Sequence, residues 1–280
     1  MPPLKKVKRR QLAAEVGENV DLAPMHPGYF RLTIASPWLA REARPGQFIH
    51  VLPPGSGEML RRPFSVLGAD PAKGTVTILF RAIGEGTFVL SQVRAGNKLD
   101  IIGPLGNGFP LDAGHSAALV GGGVGIPPLV LLAEKLIASG MSTDPSESEH
   151  ISVFLGARDA ATLVCIDDFR AMGVDPVLST EDGSLGVEGL VTDALDREGE
   201  FQRGCLVYSC GPLPMLRAMA EWTRSRGLKC FVSLENKLGC GIGACLGCSV
   251  PVRDNGGLRY ERVCCDGPVF DASRIAFDRM

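Results

Sequence analysis

Three cysteines spaced by four and then two residues, Cys240-Gly-Ile-Gly-Ala-Cys245-Leu-Gly-Cys248, constrain this chain more than any other stretch. With further thiols downstream in Arg262-Val-Cys-Cys-Asp-Gly-Pro-Val269, the spacing is that of the plant-type ligand loop for a two-iron, two-sulfur cluster. A loop around an inorganic core must bring backbone N–H groups close to sulfur, and Gly241, Gly243 and Gly247 tolerate that approach and positive φ. Zinc is the competing occupant, but zinc sites come as paired C-x2-C hooks, which a four-residue first gap fits poorly. A set of plain buried cysteines is the other alternative. Cys240, Cys245 and Cys248 are thus candidate iron ligands, with Cys264 or Cys265 as the fourth. On an extended segment those two neighbours would point in opposite directions, so only one could face the cluster.

The nine cysteines are an odd number, five of them fall from Cys240 onward, and no secretory pattern opens the sequence. Met1 to Arg10 carries Lys5, Lys6, Lys8, Arg9 and Arg10 with no apolar run behind them. A reducing cytoplasm is the expected compartment. A net charge of −2, from 29 basic and 31 acidic residues, argues for neither nucleic acid nor an anionic membrane surface. The longest apolar stretch, Ala117 to Ala133, holds four glycines and two prolines and falls short of a bilayer span.

Tyr29–Ile34, Gln47–Leu52 and Gly74–Phe80 alternate as strands do, between Pro and Gly clusters, and suggest an antiparallel β-barrel ending near Leu111. Inside it lie Arg61-Arg-Pro-Phe-Ser-Val66, Leu79-Phe-Arg81 and Gly84-Glu-Gly-Thr87. An arginine beside a rigid proline, then an aromatic and a hydroxyl, can hold a phosphate and a flat ring. The same residues would also serve as an ordinary surface turn.

A second region opens with an apolar strand, the turn Gly121-Gly-Gly-Val-Gly125 and a helix from Pro127 to about Ser139. Such a turn lets backbone approach phosphates at a helix N-terminus, although it is not the strict G-x-G-x-x-G. After the polar stretch Ser142–His150 come strands at 151–155, 174–179 and 205–209, with helices expected at 160–172 and from Met215 to Arg226. This alternation from about Ala117 to Lys229 implies a parallel sheet, whose ligands lie at the C-terminal ends of its strands. Cys210 stands at such an end, either as a core residue or beside a nicotinamide ring; Cys165, Cys205 and Cys230 are expected in the core.

Taken together in this order, Arg62-Pro-Phe-Ser65, Gly86-Thr87, Gly121–Gly125, Cys210-Gly-Pro212, Ser233-Leu-Glu-Asn236 and the cysteine loop resemble the ferredoxin-reductase superfamily. Within it the chain is most similar to the electron-transfer subunits of class 1B dihydroorotate dehydrogenases, from about Val16 onward. The resemblance implies three units: a flavin barrel (16–112), an α/β nucleotide domain (113–229) and a small C-terminal [2Fe–2S] module (230–280), after a basic tail (1–15). It implies FAD held by Arg62 at the diphosphate, by Pro63, Phe64, Ser65, Leu79, Phe80 and Arg81 along the cofactor, and by N–H and hydroxyl groups of Gly86 and Thr87. NAD would be held by Gly121, Gly122, Gly123, Gly125, Cys210, Gly211 and Pro212, and Ser233–Asn236 would belong to the cluster module. The family ligand precedes x-Asp-Gly-Pro, which selects Cys264 beside Cys240, Cys245 and Cys248 and leaves Cys265 out.

The implied activity is electron transfer from a dihydroorotate-oxidising partner, an FMN-containing catalytic subunit in a heterotetramer of two copies of each, through the cluster and FAD to NAD+. No residue here would act as a catalytic acid or base. Arg158 could pair a 2′-phosphate, but Asp159 beside it would repel one, which favours NAD over NADP. A flavin and iron–sulfur NAD(P)H reductase subunit of a ferredoxin- or sulfide-linked system would share all these signatures; a metal-binding scaffold without flavin is the other alternative, and the intact Arg62-Pro-Phe-Ser65 argues against it.

Overall fold

The computed structural model describes residues 9–55, 60–112, 115–199, 201, 204–254 and 256–280. The tail lysines Lys5, Lys6 and Lys8 lie outside them. The first unit is a closed barrel built from β1 (Arg10–Asp21), β2 (Tyr29–Ala35), β3 (Phe48–Leu52), β4 (Arg62–Asp70), β5 (Thr75–Arg81) and β6 (Lys98–Leu105), in the order β1-β2-β5-β4-β3-β6. Its pairs are antiparallel. Alternation decides which way each strand faces: Leu32, Ile34, Val76 and Ile78 are fully buried, while Arg31 and Thr33 look outward. Closure leaves no open sheet edge. Two short helices, α1 (Pro37–Glu42) and α2 (Glu85–Ser91), join the strands.

β1 starts five residues before the expected end of the tail. Ala14 and Val16 are buried in the barrel, and Arg10–Glu15 pair with Gly103–Lys98 of β6. The small apolar residues between charges gave little signal, and the partner strand supplies the order.

The second unit is a seven-stranded sheet in the order β10-β9-β8-β7-β11-β12-β15. Its strands are β7 (Ala117–Gly122), β8 (Ile151–Ala157), β9 (Val177–Thr180), β10 (Val187–Glu188), β11 (Leu206–Cys210), β12 (Lys229–Ser233) and β15 (Val269–Asp271), all parallel to their neighbours except β15. The helices are α3 (Pro127–Ala138), α4 (Ile166–Arg170), α5 (Val191–Glu198) and α6 (Leu213–Ser225). β7 is buried on both faces. Ala117 and Leu119 pack with α3 and α4, and Ala118 and Val120 with α5 and α6.

Three sequence expectations change here. The helix expected over 160–172 is a single turn at Ala160–Thr162 and the five-residue α4, separated by Cys165 in the left-handed region at φ 66°. Leu163 and Val164 are fully buried between them, so the chain dips into the core instead of continuing a surface helix. Secondly, no element was expected over β10 and α5, although Val191, Ala194 and Leu195 repeat at helical spacing and form the buried face of α5. Lastly, the boundary at 229/230 cuts through β12: this strand and β15 both belong to the sheet, which fastens the C-terminal module to its edge. What remains of that module is the loop 234–248, the hairpin β13 (Ser249–Asp254) and β14 (Gly257–Arg262), the turn 263–268 and the final residues 272–280. Among the described residues no helix is long and apolar enough to cross a membrane.

Candidate functional site

A groove runs between the barrel and the C-terminal edge of the sheet, with walls from distant parts of the chain. Pro63, Phe64 and Ser65 of β4 and Leu79, Phe80 and Arg81 of β5 form one side, with Thr87 at the start of α2. The rings of Phe64 and Phe80 meet at 5.5 Å, tilted by 51°. Cys210, at the end of β11, Ser233, at the end of β12, and Glu235 and Asn236, just past it, form the other. The segment 233–236, expected as part of the cluster module, thus also lines this groove. Counting β12 as a sheet strand would have found it, because strand ends of such sheets hold ligands.

Arg62 and Gly86 lie together beside this groove. A Cβ on Gly86 would sit 3.0 Å from Arg62 Nε, so a larger residue would push the guanidinium aside by a few tenths of an ångström. Arg62 also donates to the Leu60 carbonyl at 2.7 Å. The Thr87 hydroxyl accepts N–H groups from Ile83 and Gly84 and donates to the Gly84 carbonyl at 2.9 Å. Its hydrogen is therefore committed to shaping its own turn. Burial pushes the Cys210 thiol well up, with Glu235 adding to it, and burial also raises Glu235. Cys210 is therefore a neutral thiol.

A second pocket adjoins the first at the switch in strand order between β7 and β11, where ligands of doubly wound sheets bind. Gly122, Gly123 and Pro212 line it, with Tyr29 and Arg81 from the barrel and Arg158, Thr162 and Glu181 from the sheet. Arg81 lines both hollows, its guanidinium 5.5 Å from the Tyr29 ring centroid. Gly121, Gly125 and Gly211 have another task. A Cβ on Gly125 would come within 2.5 Å of the Cys210 carbonyl, and one on Gly211 within 3.2 Å of the Gly122 Cα, so the two strand-end turns pack backbone on backbone. Asp159 does not line the pocket: its carboxylate accepts the Thr162 N–H at 2.8 Å, and Glu181 is the acid facing the pocket.

In the cysteine loop, Gly241 and Gly243 take positive φ, at 69° and 87°. The third left-handed residue is Leu246, at φ 57°, and not Gly247. The loop folds back so that the Ala244 and Cys245 N–H groups donate to Cys240 Sγ at 3.2 and 3.4 Å. Burial acts to raise this thiol, but the N–H donors outweigh it and bring it down to about 6. The Cys245 backbone thus meets Cys240 Sγ, and Cys248 and Cys264 are buried in one cluster. Among the described residues no three His, Cys, Asp or Glu side chains gather as for a single ion. Four thiols in this spacing suit a two-iron core, with two thiolates for each iron, better than one tetrahedral zinc.

Cys264 and Cys265 do not lie on an extended segment. They occupy a turn closed by N–H donations from Cys265, Asp266 and Gly267 to the Arg262 carbonyl, and their sulfurs are 3.7 Å apart. Cys264 is 1 % exposed; Cys265 is more open, abuts Gly243 and accepts from Arg9 Nη1 at 3.5 Å. The same Arg9 nitrogen donates to the Ile242 carbonyl at 3.0 Å, so the end of the basic tail reaches the cysteine loop.

Three family models match: an oxidoreductase FAD-binding domain over residues 27–109, an oxidoreductase NAD-binding domain over 119–221, and the iron–sulfur cluster binding domain of dihydroorotate dehydrogenase B over 235–276. Among curated relatives, the dihydroorotate dehydrogenase B (NAD(+)) electron transfer subunit of Geobacillus thermodenitrificans is 40% identical over 251 residues, 88% of this chain and 92% of the relative. The corresponding subunit of Caldanaerobacter subterraneus subsp. tengcongensis is 42% identical over 241 residues, covering 86% and 90%. Among solved structures, an NADH-dependent reduced ferredoxin-NADP oxidoreductase superposes with a TM-score of 0.79 at 30% identity, covering 100% of this chain and 92% of that one. Phthalate dioxygenase reductase shares the fold, with a TM-score of 0.60 at 17% identity over 90% of this chain and 76% of that one.

Proposed function

Because the chain belongs to the electron transfer subunits of NAD(+)-dependent dihydroorotate dehydrogenase B, we propose that its groove, pocket and cysteine loop form one relay between a dihydroorotate-oxidising partner and NAD+. The chain is an oxidoreductase subunit that uses FAD, NAD and a [2Fe–2S] cluster, and a catalytic subunit is its partner. We take that partner to carry FMN and the assembly to hold two copies of each chain, as the family resemblance implies. When bound, the three groups supply the redox chemistry: hydride transfer at nicotinamide, single-electron transfer at the cluster, and flavin as the converter between them.

The residues hold and orient. Pro63, Phe64, Ser65, Leu79, Phe80 and Arg81 give the flavin an apolar wall with polar ends, and Arg62 and the Gly86–Thr87 turn take its diphosphate. Gly121, Gly122, Gly123, Gly125, Cys210, Gly211 and Pro212 shape the nucleotide site, where Gly122 and Gly123 give the phosphates a backbone surface without side chains. Glu181 is placed for a ribose hydroxyl, which favours NAD. Cys240, Cys245, Cys248 and Cys264 hold the cluster. None of these side chains needs to take a proton from dihydroorotate; that belongs to the partner.

The observation that carries this reading is the meeting of the barrel motif, both strand-end turns and the segment 233–236 around one groove. A reductase subunit serving a ferredoxin-linked system is the second reading, favoured by the whole-chain likeness to the ferredoxin-NADP oxidoreductase. Anaerobic purification should give flavin and iron in a ratio of about one to two, with acid-labile sulfide. The chain alone should oxidise NADH with artificial acceptors and leave dihydroorotate untouched until its flavoprotein partner is added. Dihydroorotate oxidation by the chain alone, or none after the partner is restored, would sink the proposal.

A further inference from the structure

His50, in the middle of β3, is 0 % exposed, and neither ring nitrogen has a hydrogen-bond partner. Buried polar groups are nearly always paired, so an imidazole with two orphaned nitrogens calls for an occupant. Its surroundings narrow the choice. β3 runs between β4 and β6, with His50 opposite Pro63 and Ile102, and the Phe48 ring approaches it edge-on at 5.8 Å. Gly241 is close as well: a Cβ there would fall 2.6 Å from His50 Nδ1 and 2.7 Å from Cε1. The left-handed glycine after Cys240 thus lets the cysteine loop close directly onto the imidazole. Burial, and then Arg61, lower the ring's pKa to about 4, so it is neutral, with one N–H donor and one acceptor nitrogen.

The loop already feeds two backbone N–H groups to Cys240 Sγ from its own side. His50 reaches the same loop from the barrel, with its ring against Gly241. We propose that His50 is a positioning residue of the cluster, donating its ring N–H to a sulfur of the group held at Cys240–Gly241 and thereby raising its reduction potential. A hydrogen bond to sulfur favours the more negative, reduced form, and such bonds are among the chief determinants of iron–sulfur potentials. Phe48 lines the flavin groove and contacts His50, so the imidazole also stands in the layer between groove and cysteine loop. This inference rests on the cluster reading above.

The test uses the anaerobically purified, FAD-loaded chain and its His50→Leu and His50→Gln variants, with iron and sulfide assays and an EPR-monitored redox titration. The Leu variant should keep its iron and sulfide yet be harder to reduce, with the reduced-to-oxidised ratio at fixed potential falling about tenfold, or ~59 mV for one electron. The Gln variant, whose amide can donate, should recover most of that shift. Pulsed EPR of the reduced wild-type chain carrying 15N-histidine should show a weak nitrogen coupling. The other histidines are engaged elsewhere, His26 with Ala161, His115 beside Gly204 and His150 with Glu147, so the label reports on His50. An unchanged potential in a Leu variant with full cluster content would overturn the proposal. So would the absence of nitrogen coupling in the wild type, which decides the matter even if the variants do not fold. A wild-type chain without iron and sulfide would instead remove the cluster reading, and this inference with it.

Discussion

Cys264 and Cys265 show how a single residue's role depends on its local backbone. Their sulfurs, 3.7 Å apart in one turn, are separated by surroundings and not by direction: Cys264 is buried in the same cluster as Cys248, and Cys265 meets Gly243 and Arg9. Cys264→Ser should therefore lose most of its iron and sulfide, and Cys265→Ser should keep near-normal content and EPR signature. The reverse pattern would shift the ligand assignment by one residue, and the double variant removes any stand-in thiol. Gly125 gives a second prediction. A methyl group there meets the Cys210 carbonyl, and overpacking of that kind costs about 1–3 kcal/mol. Gly125→Ala should weaken NADH binding by about tenfold or more at unchanged FAD content, which equilibrium titration would read. The cysteine spacing was legible in the sequence because ligand geometry fixes it. The left-handed Leu246 was not, because any L-residue is disfavoured there and only the finished loop imposes it.

At the scale of elements, the strands with strong alternation were legible, and the segment 160–172 was not. Its composition suits a helix, but burial of Leu163 and Val164 overrides propensity and splits it at Cys165. The split places α4 where Asp168 receives both Arg31 guanidinium nitrogens from β2, at 2.9 and 2.6 Å. This half-buried bidentate pair joins barrel to sheet, and no sequence pattern announced it, since its partners are 137 residues apart. In a double-mutant cycle of Arg31→Met and Asp168→Asn, the coupling should be about 1–3 kcal/mol. Denaturant unfolding of the FAD-loaded forms would measure it, and strict additivity would show the pair to be idle.

Across the whole molecule, the expected units exist, but their cores are shared. Leu131 of α3 is buried with the barrel residues, and Phe48 and Leu105 of the barrel pack with Cys248, Val263 and Cys264. The three-part plan was readable from motif order, and this interlocking was not, because it depends on which faces meet after folding. Cluster removal should consequently be felt beyond the loop. An iron-free chain should melt several degrees lower and lose hydrogen-exchange protection first at β12 and β15, with β2 and β5 unaffected. Equal loss in the barrel strands would contradict that. The antiparallel seat of β15 on β12 has a further consequence for how the protein is made. A growing chain can close its barrel once β6 has emerged, because all six strands precede residue 106. The sheet cannot finish in the same way: the outer edge of β12 has no strand partner until Val269–Asp271 has been synthesised. During that interval the nascent chain presents an unpaired strand edge, the kind of surface that recruits neighbouring chains. Translation through the cysteine loop is thus the interval in which this protein most needs protection from aggregation.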